Sequence, residues 1–123
     1  MTDEAIESEI QNKGLNAPRI TPGHIEKKIV SQHFFTAEEG ALGAYHSHDA
    51  VHQGSTPSRH SATALPLLTF CVLILENGFT VTGESACASP ENFDEEIGRK
   101  IARQNAVDKI WPLEGYLLKQ RLH

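Results

Sequence analysis

A chain of 123 residues is long enough for one domain and too short for two with separate cores, since domains commonly run to about 100–150 residues. With 16 acidic against 11 basic side chains the formal net charge is −5, a field that repels phosphate backbones and anionic membrane surfaces, so nucleic acid is disfavoured as a partner. The longest apolar run, Leu65 to Leu75, is broken by Pro66 and Thr69 and falls far short of the roughly 20 residues that span a bilayer; with no basic segment leading into an apolar run after Met1, the expected setting is the cytosol, without a membrane partner.

From the N-terminus, Ile6 and Ile10 among Glu4, Glu7 and Glu9 predict a short one-stripe helix over Asp3 to Lys13, ended by Gly14. Thr21-Pro22 joins a hydroxyl cap to a proline at the first helical position, and Ile25 with Ile29 gives a second short helix from Pro22 to Val30. Ser31 to Thr36, with His33, Phe34 and Phe35, reads as an edge strand or the tail of that helix, the strand being favoured. Residues 37–64 gain Gly, Ser, Thr, His and Pro without an apolar period, which predicts a long, mobile loop within a single domain, 1–123.

Leu67–Leu75 is a strand by its β-branched and aromatic content, Asn77-Gly78 is the favoured two-residue type I′ turn, and Phe79–Ala88 returns as the partner. That turn puts Cys71 opposite Glu84 and Cys87 opposite Leu68, so the two thiols are out of register and expected to be reduced. It also assigns Leu68, Phe70, Val72 and Ile74 to the core face. Leu67, Thr69, Cys71, Leu73 and Leu75 then lie beside Thr80, Thr82 and Glu84 on a half-apolar face that something must cover. Ser89-Pro90 repeats the cap-plus-proline signature, and Phe93, Ile97, Ile101, Ala102, Asn105, Ala106 and Ile110 trace the inner side of a long amphipathic helix, kinked at Pro112. The fold class is therefore α+β: short N-terminal helices, a small antiparallel sheet centred on the hairpin, and a long C-terminal helix.

The residues Leu68-Thr69-Phe70-Cys71-Val72-Leu73, Asn77-Gly78-Phe79-Thr80-Val81-Thr82-Gly83-Glu84-Ser85-Ala86-Cys87-Ala88, Pro90-Glu91-Asn92-Phe93-Asp94, Ile97-Gly98-Arg99-Lys100-Ile101-Ala102-Arg103 and Lys109-Ile110-Trp111-Pro112-Leu113-Glu114-Gly115-Tyr116 resemble the small tailed-phage proteins typified by the forty-ninth product of coliphage N-four and the sixty-sixth of phage Sf-six. The resemblance covers most of the chain outside the 37–64 stretch. It implies a phage or prophage origin and expression in a bacterial host cytoplasm, and it brings no enzymatic activity, site residues or cofactor with it.

Three constellations invite chemistry. His46-Ser47-His48-Asp49, with His52 and His60, has the composition of a metal tract, but a Gly/Ser-rich loop offers little to hold ligands in place, so no metal site is expected. Arg99, Lys100, Arg103 and Lys109 form the basic cluster of the long helix, in an element order like that of double-stranded-RNA-binding domains. The helix start is Glu91, Asp94, Glu95 and Glu96, which suits the helix dipole and repels phosphate; Glu95–Arg99 and Glu96–Lys100 read as surface pairs. Gly83-Glu84-Ser85 lacks the strand-turn-helix setting of a phosphate cradle, and Gly83 reads as a bulge or close-contact point.

These readings lead to a non-enzymatic accessory protein that binds a host protein, with inhibition of a host defence as one form. Its alternatives are a sponge for a small nucleotide signal, using Arg99 and Arg103 between subunits, and a minor virion or assembly component. The candidate contact residues are Cys71, Leu73, Leu75, Glu84, Arg99 and Arg103, with no catalytic residue and no cofactor. A two-fold homodimer is expected through the Leu73 face or through Trp111 to Leu122, the competing cover for that face being the N-terminal helix pair.

Overall fold

The computed structural model describes residues 2–47 and 54–123. Strand β2 (Leu68–Leu75) turns into β3 (Thr80–Ala86) through a loop that is not the two-residue type I′ form, which needs positive φ at both central residues. Gly78 alone is left-handed there, at φ 89°; its N–H donates to the Leu75 carbonyl at 2.8 Å, and the Leu75 N–H donates to the Phe79 carbonyl at 2.8 Å. The loop thus holds three residues, Glu76, Asn77 and Gly78, and Asn77 Oδ1 takes the Phe79 N–H at 2.9 Å.

The extra loop residue moves the register by one, so that Leu73 faces Val81, Cys71 faces Gly83 and Leu68 faces Ala86. Because side chains alternate along a strand, a one-residue slip exchanges the two faces. This corrects the expected Cys71–Glu84 and Leu68–Cys87 pairs, and it corrects the face assignment with them. The core side carries Thr69, Cys71, Leu73, Leu75 and Val81, all buried, while Leu68, Phe70, Val72 and Ile74 are only half-buried on the other side.

Strand β1 (Ile29–Thr36) lies antiparallel on the other edge of β2, giving the order β1-β2-β3. The register slips between Ile29 and Ser31, so Val30 is the bulged residue, and beyond it Phe34 lies opposite Cys71 and Phe35 opposite Phe70. Helix α2 (Pro22–Lys28) precedes β1 and starts as the sequence predicts: the Thr21 hydroxyl accepts the His24 N–H at 3.1 Å, with Pro22 next. Ile25, 1% exposed, is the side chain that fastens this helix to the core.

Helix α5 (Glu95–Asp108) covers the core face. Its cap is Asp94, whose carboxylate accepts the Ile97 N–H at 3.0 Å. Ser89, expected to cap, instead donates to Glu91, and Pro90–Asn92 forms a separate 3-10 turn. The buried side of α5 is Gly98, Ala102, Ala106 and Val107; Ile97 and Ile101, expected to point inward, are 55% and 47% exposed. Gly83 explains this rotation. A Cβ at that position would overlap the Ala102 carbonyl oxygen and the Ala106 amide nitrogen, so the helix backbone sits directly on the strand and only small residues fit its inner side.

Helix α6 (Ile110–Leu122) continues α5 to make a 28-residue helix bent by 21° near residue 109. Pro112 causes the bend, because it cannot donate to the carbonyl four residues back and its ring pushes against that carbonyl. Among the described residues no helix is long and apolar enough to cross a membrane.

The 37–64 stretch, expected as loop, carries α3 (Ala37–Ser47) and α4 (Arg59–Ala64). Both have hydroxyl starts: Glu39 N–H donates to Thr36 Oγ1 at 3.1 Å while Thr36 N–H donates to Glu39 Oε1 at 2.8 Å, and Ser58 with Ser61 makes the same reciprocal box.

Helix α1 (Asp3–Asn12) buries no residue and is held by a polar contact instead. Arg19 donates to both oxygens of Glu7, at 2.5 and 2.7 Å, and Gln11 adds a bond at 2.7 Å. The Arg19 guanidinium, then Gln11, hold the Glu7 carboxyl down from the ordinary 4.5 to about 2. A lowered folded value means the stabilisation is complete above about pH 4.5 and lost as pH falls toward 2. Amide protection factors across α1, taken against the intrinsic exchange rate at each pH, should therefore fall over that acid range in wild type, and Arg19→Met should show the same low protection at pH 7. Unchanged exchange in Arg19→Met would refute this anchoring.

Candidate interaction surfaces

The candidate contact residues separate into three groups. Cys71 and Leu73 are 0% exposed and Leu75 is 6% exposed, packed with Ile25, Ala102, Ala106, Val107 and Ile110. The expectation that they form an open contact face is thus corrected: they are the core, because the three-residue turn points them under α5. Burial pushes the Cys71 thiol up, and both cysteines are free.

Arg103 is fully engaged. Its guanidinium clasps both oxygens of Glu26 at 2.9 and 3.1 Å and its Nε donates to Gln32 at 2.8 Å, tying α5 to α2 and β1. The bidentate clasp lowers the Glu26 carboxyl and raises the Arg103 guanidinium. Arg99 pairs loosely with Glu95 at 3.8 Å and lines a cleft of about 220 Å³ beside Phe34, Phe35, Glu39 and Phe93. Glu84 is exposed on β3; its backbone carbonyl accepts Asn105 Nδ2 at 2.8 Å, and Asn105, traced by the sequence to the inner side of the helix, is itself exposed at its edge.

Two apolar surfaces remain. One is the sheet face opposite α5: a central column of Leu68, Phe70, Val72 and Ile74, flanked on β1 by Ser31, His33 and Phe35 and on β3 by Thr80, Thr82, Glu84 and Ala86. Phe35 leans on Phe70, ring centroids 5.7 Å apart, and Gly40 of α3 lies beside the Phe35 ring, so α3 closes one end of this face. Ser31 Oγ and His33 Nε2 stand 2.6 Å apart on it. An activated nucleophile also needs a group that orients the base and donors for a developing oxyanion; among the described residues no carboxylate hydrogen-bonds His33.

The other surface is on α6. Leu113, Tyr116 and Leu117, at i, i+3 and i+4, form one stripe, 37%, 73% and 47% exposed. The adjacent side of α6 is pinned: buried Glu114 bonds His24 Nε2 at 2.7 Å and lies 3.8 Å from Lys28 Nζ, which also reaches Glu76 at 2.6 Å. Removing Glu114 takes the acceptor from His24 Nε2 while Lys28 keeps Glu76, so Glu114→Ala should cost about 1 kcal/mol and Glu114→Gln less, as read from denaturant midpoints. Equal stability of Glu114→Ala and wild type would show that α6 is not pinned there.

His48 and His52 of the histidine tract lie outside the described residues; among those described, no group of three metal-ligating side chains gathers.

The architecture is a two-layer α+β unit, a three-stranded antiparallel sheet with one long helix on a single face. The phage protein (N4 Gp49/phage Sf6 gene 66) family model matches residues 20–122, and the chain belongs to that family. No curated protein and no solved structure matches it.

Proposed function

We propose that this is a non-enzymatic phage accessory protein that works in the host bacterial cytoplasm by binding a host protein, a component of host defence being one partner class, and that α6 makes the contact. The carrying observation is the Leu113–Tyr116–Leu117 stripe, presented to solvent on a helix that Glu114, with His24 and Lys28, holds along its adjacent side. This is the pattern of a helix that lays its anchors into a partner's groove, and tyrosine is among the residues that carry most energy in such contacts. Lys119 and Arg121 on the last turn favour a groove with an acidic rim. The nucleotide-sponge reading loses one of its two cations, since Arg103 is held by Glu26 and Gln32.

Affinity purification from a bacterial host tests the reading, with tagged wild type beside the double variant Tyr116→Ala, Leu117→Glu. A host protein captured near stoichiometry by wild type and lost in the variant, at unchanged circular dichroism, is the expected result. Capture of no host protein, or capture indifferent to the variant, would contradict it.

A further inference from the structure

We propose that two copies of the chain pair face to face through the open side of the sheet, about a two-fold axis parallel to β2. The inference goes beyond the host-binding reading, which uses α6, and neither depends on the other. Three observations carry it.

The first is composition. Solvent-facing strand positions ordinarily alternate polar residues with the buried ones, yet here the central strand offers four large apolar side chains in succession, Leu68, Phe70, Val72 and Ile74, all half-buried, with α3 closing the end at Phe35 and Phe70. Among its described positions the face carries a single carboxylate, Glu84, and a single imidazole, His33.

The second is size. Strand rise and spacing make the face about 26 Å by 15 Å, so two such faces pressed together bury roughly 800 Å², the size of a weak, concentration-dependent contact.

The third is the placement of the polar groups. The imidazole is on the β1 flank, and the carboxylate is on the β3 flank in the next row along the sheet. A two-fold axis parallel to β2 lays the β1 flank of each copy over the β3 flank of the other, so apolar column meets apolar column and His33 approaches the partner subunit's Glu84 twice. The complementarity is generated by the symmetry itself, as an isologous contact requires. An unrelated occupant would have no reason to match it.

Size-exclusion chromatography with light scattering on the full chain at tens of micromolar should return twice the monomer mass. Val72→Lys puts a charge in the middle of the column and should return a folded monomer. His33→Glu, on an exposed flank where folding is undisturbed, should weaken the dimer about tenfold, and adding Glu84→Lys to it should restore most of the loss. If Val72→Lys fails to fold, the His33 and Glu84 pair decides alone. A wild-type monomer, or a dimer whose dissociation constant ignores His33→Glu, would overturn the proposal and leave the face to another partner.

Discussion

Gly83→Ala is expected to cost about 3 kcal/mol or more, a large share of the roughly 5–15 kcal/mol that holds a small domain folded, although it adds one methyl group. The added Cβ would overlap the carbonyl oxygen of Ala102 and the amide nitrogen of Ala106. Both are backbone atoms of α5, so no rotamer change relieves the clash. The helix must lift from the strand, and the contacts of Cys71, Leu73, Val81 and Ile110 loosen with it. Gly115→Ala is the control: a Cβ there meets open space on α6, and exchanging glycine for alanine within a helix should stabilise by about 0.5–1 kcal/mol. Thermal unfolding of the two variants should move in opposite directions. A Gly83→Ala protein as stable as wild type would mean that α5 does not rest on β3 in this way.

The second large effect separates neighbouring residues. Leu73 is 0% exposed in the core and Leu73→Ala should cost about 2–5 kcal/mol, while Leu73→Glu buries a carboxylate without a partner and should abolish folding. Val72, one position earlier, points to the open face and should accept lysine with the fold intact. Circular dichroism and denaturant unfolding of Leu73→Glu and Val72→Lys test the register directly. Under the two-residue turn the outcomes would be exchanged.

That pair also shows where the sequence was legible and where it was not. The hairpin strands, the Thr21-Pro22 helix start and the Pro112 bend follow from local chemistry, and local chemistry is what the residues display. The two sheet faces do not. Leu68 to Leu75 is apolar at nearly every position, so periodicity cannot say which side is inside, and the decision falls to the turn. Asn-Gly supports both a type I′ turn and a three-residue loop closed by glycine, and the two differ by the one residue that exchanges the faces.

The same ambiguity propagated to the candidate site. With the faces exchanged, Cys71, Leu73 and Leu75 became contact candidates although they are core, and the long helix was turned so that its largest side chains, Ile97 and Ile101, faced inward. Gly83 reads as a bulge or close-contact point, and a close contact asks for small residues such as Ala102 and Ala106 opposite it. Helix α3 had a signal that composition obscured: Thr36 and Glu39 stand three apart, the spacing of a capping box, ahead of Leu42 and Tyr45. The engagement of Arg103 by Glu26 and Gln32 joins residues 77 and 71 positions apart, which no local pattern discloses.

The central claim, that the protein works by contact through α6, is tested most directly by hydrogen exchange on the wild-type chain, free and in complex with the host protein it captures. The account predicts new protection concentrated in Ile110–Leu122, strongest around Tyr116 and Leu117. Protection that leaves α6 unchanged and appears on other elements instead would contradict it.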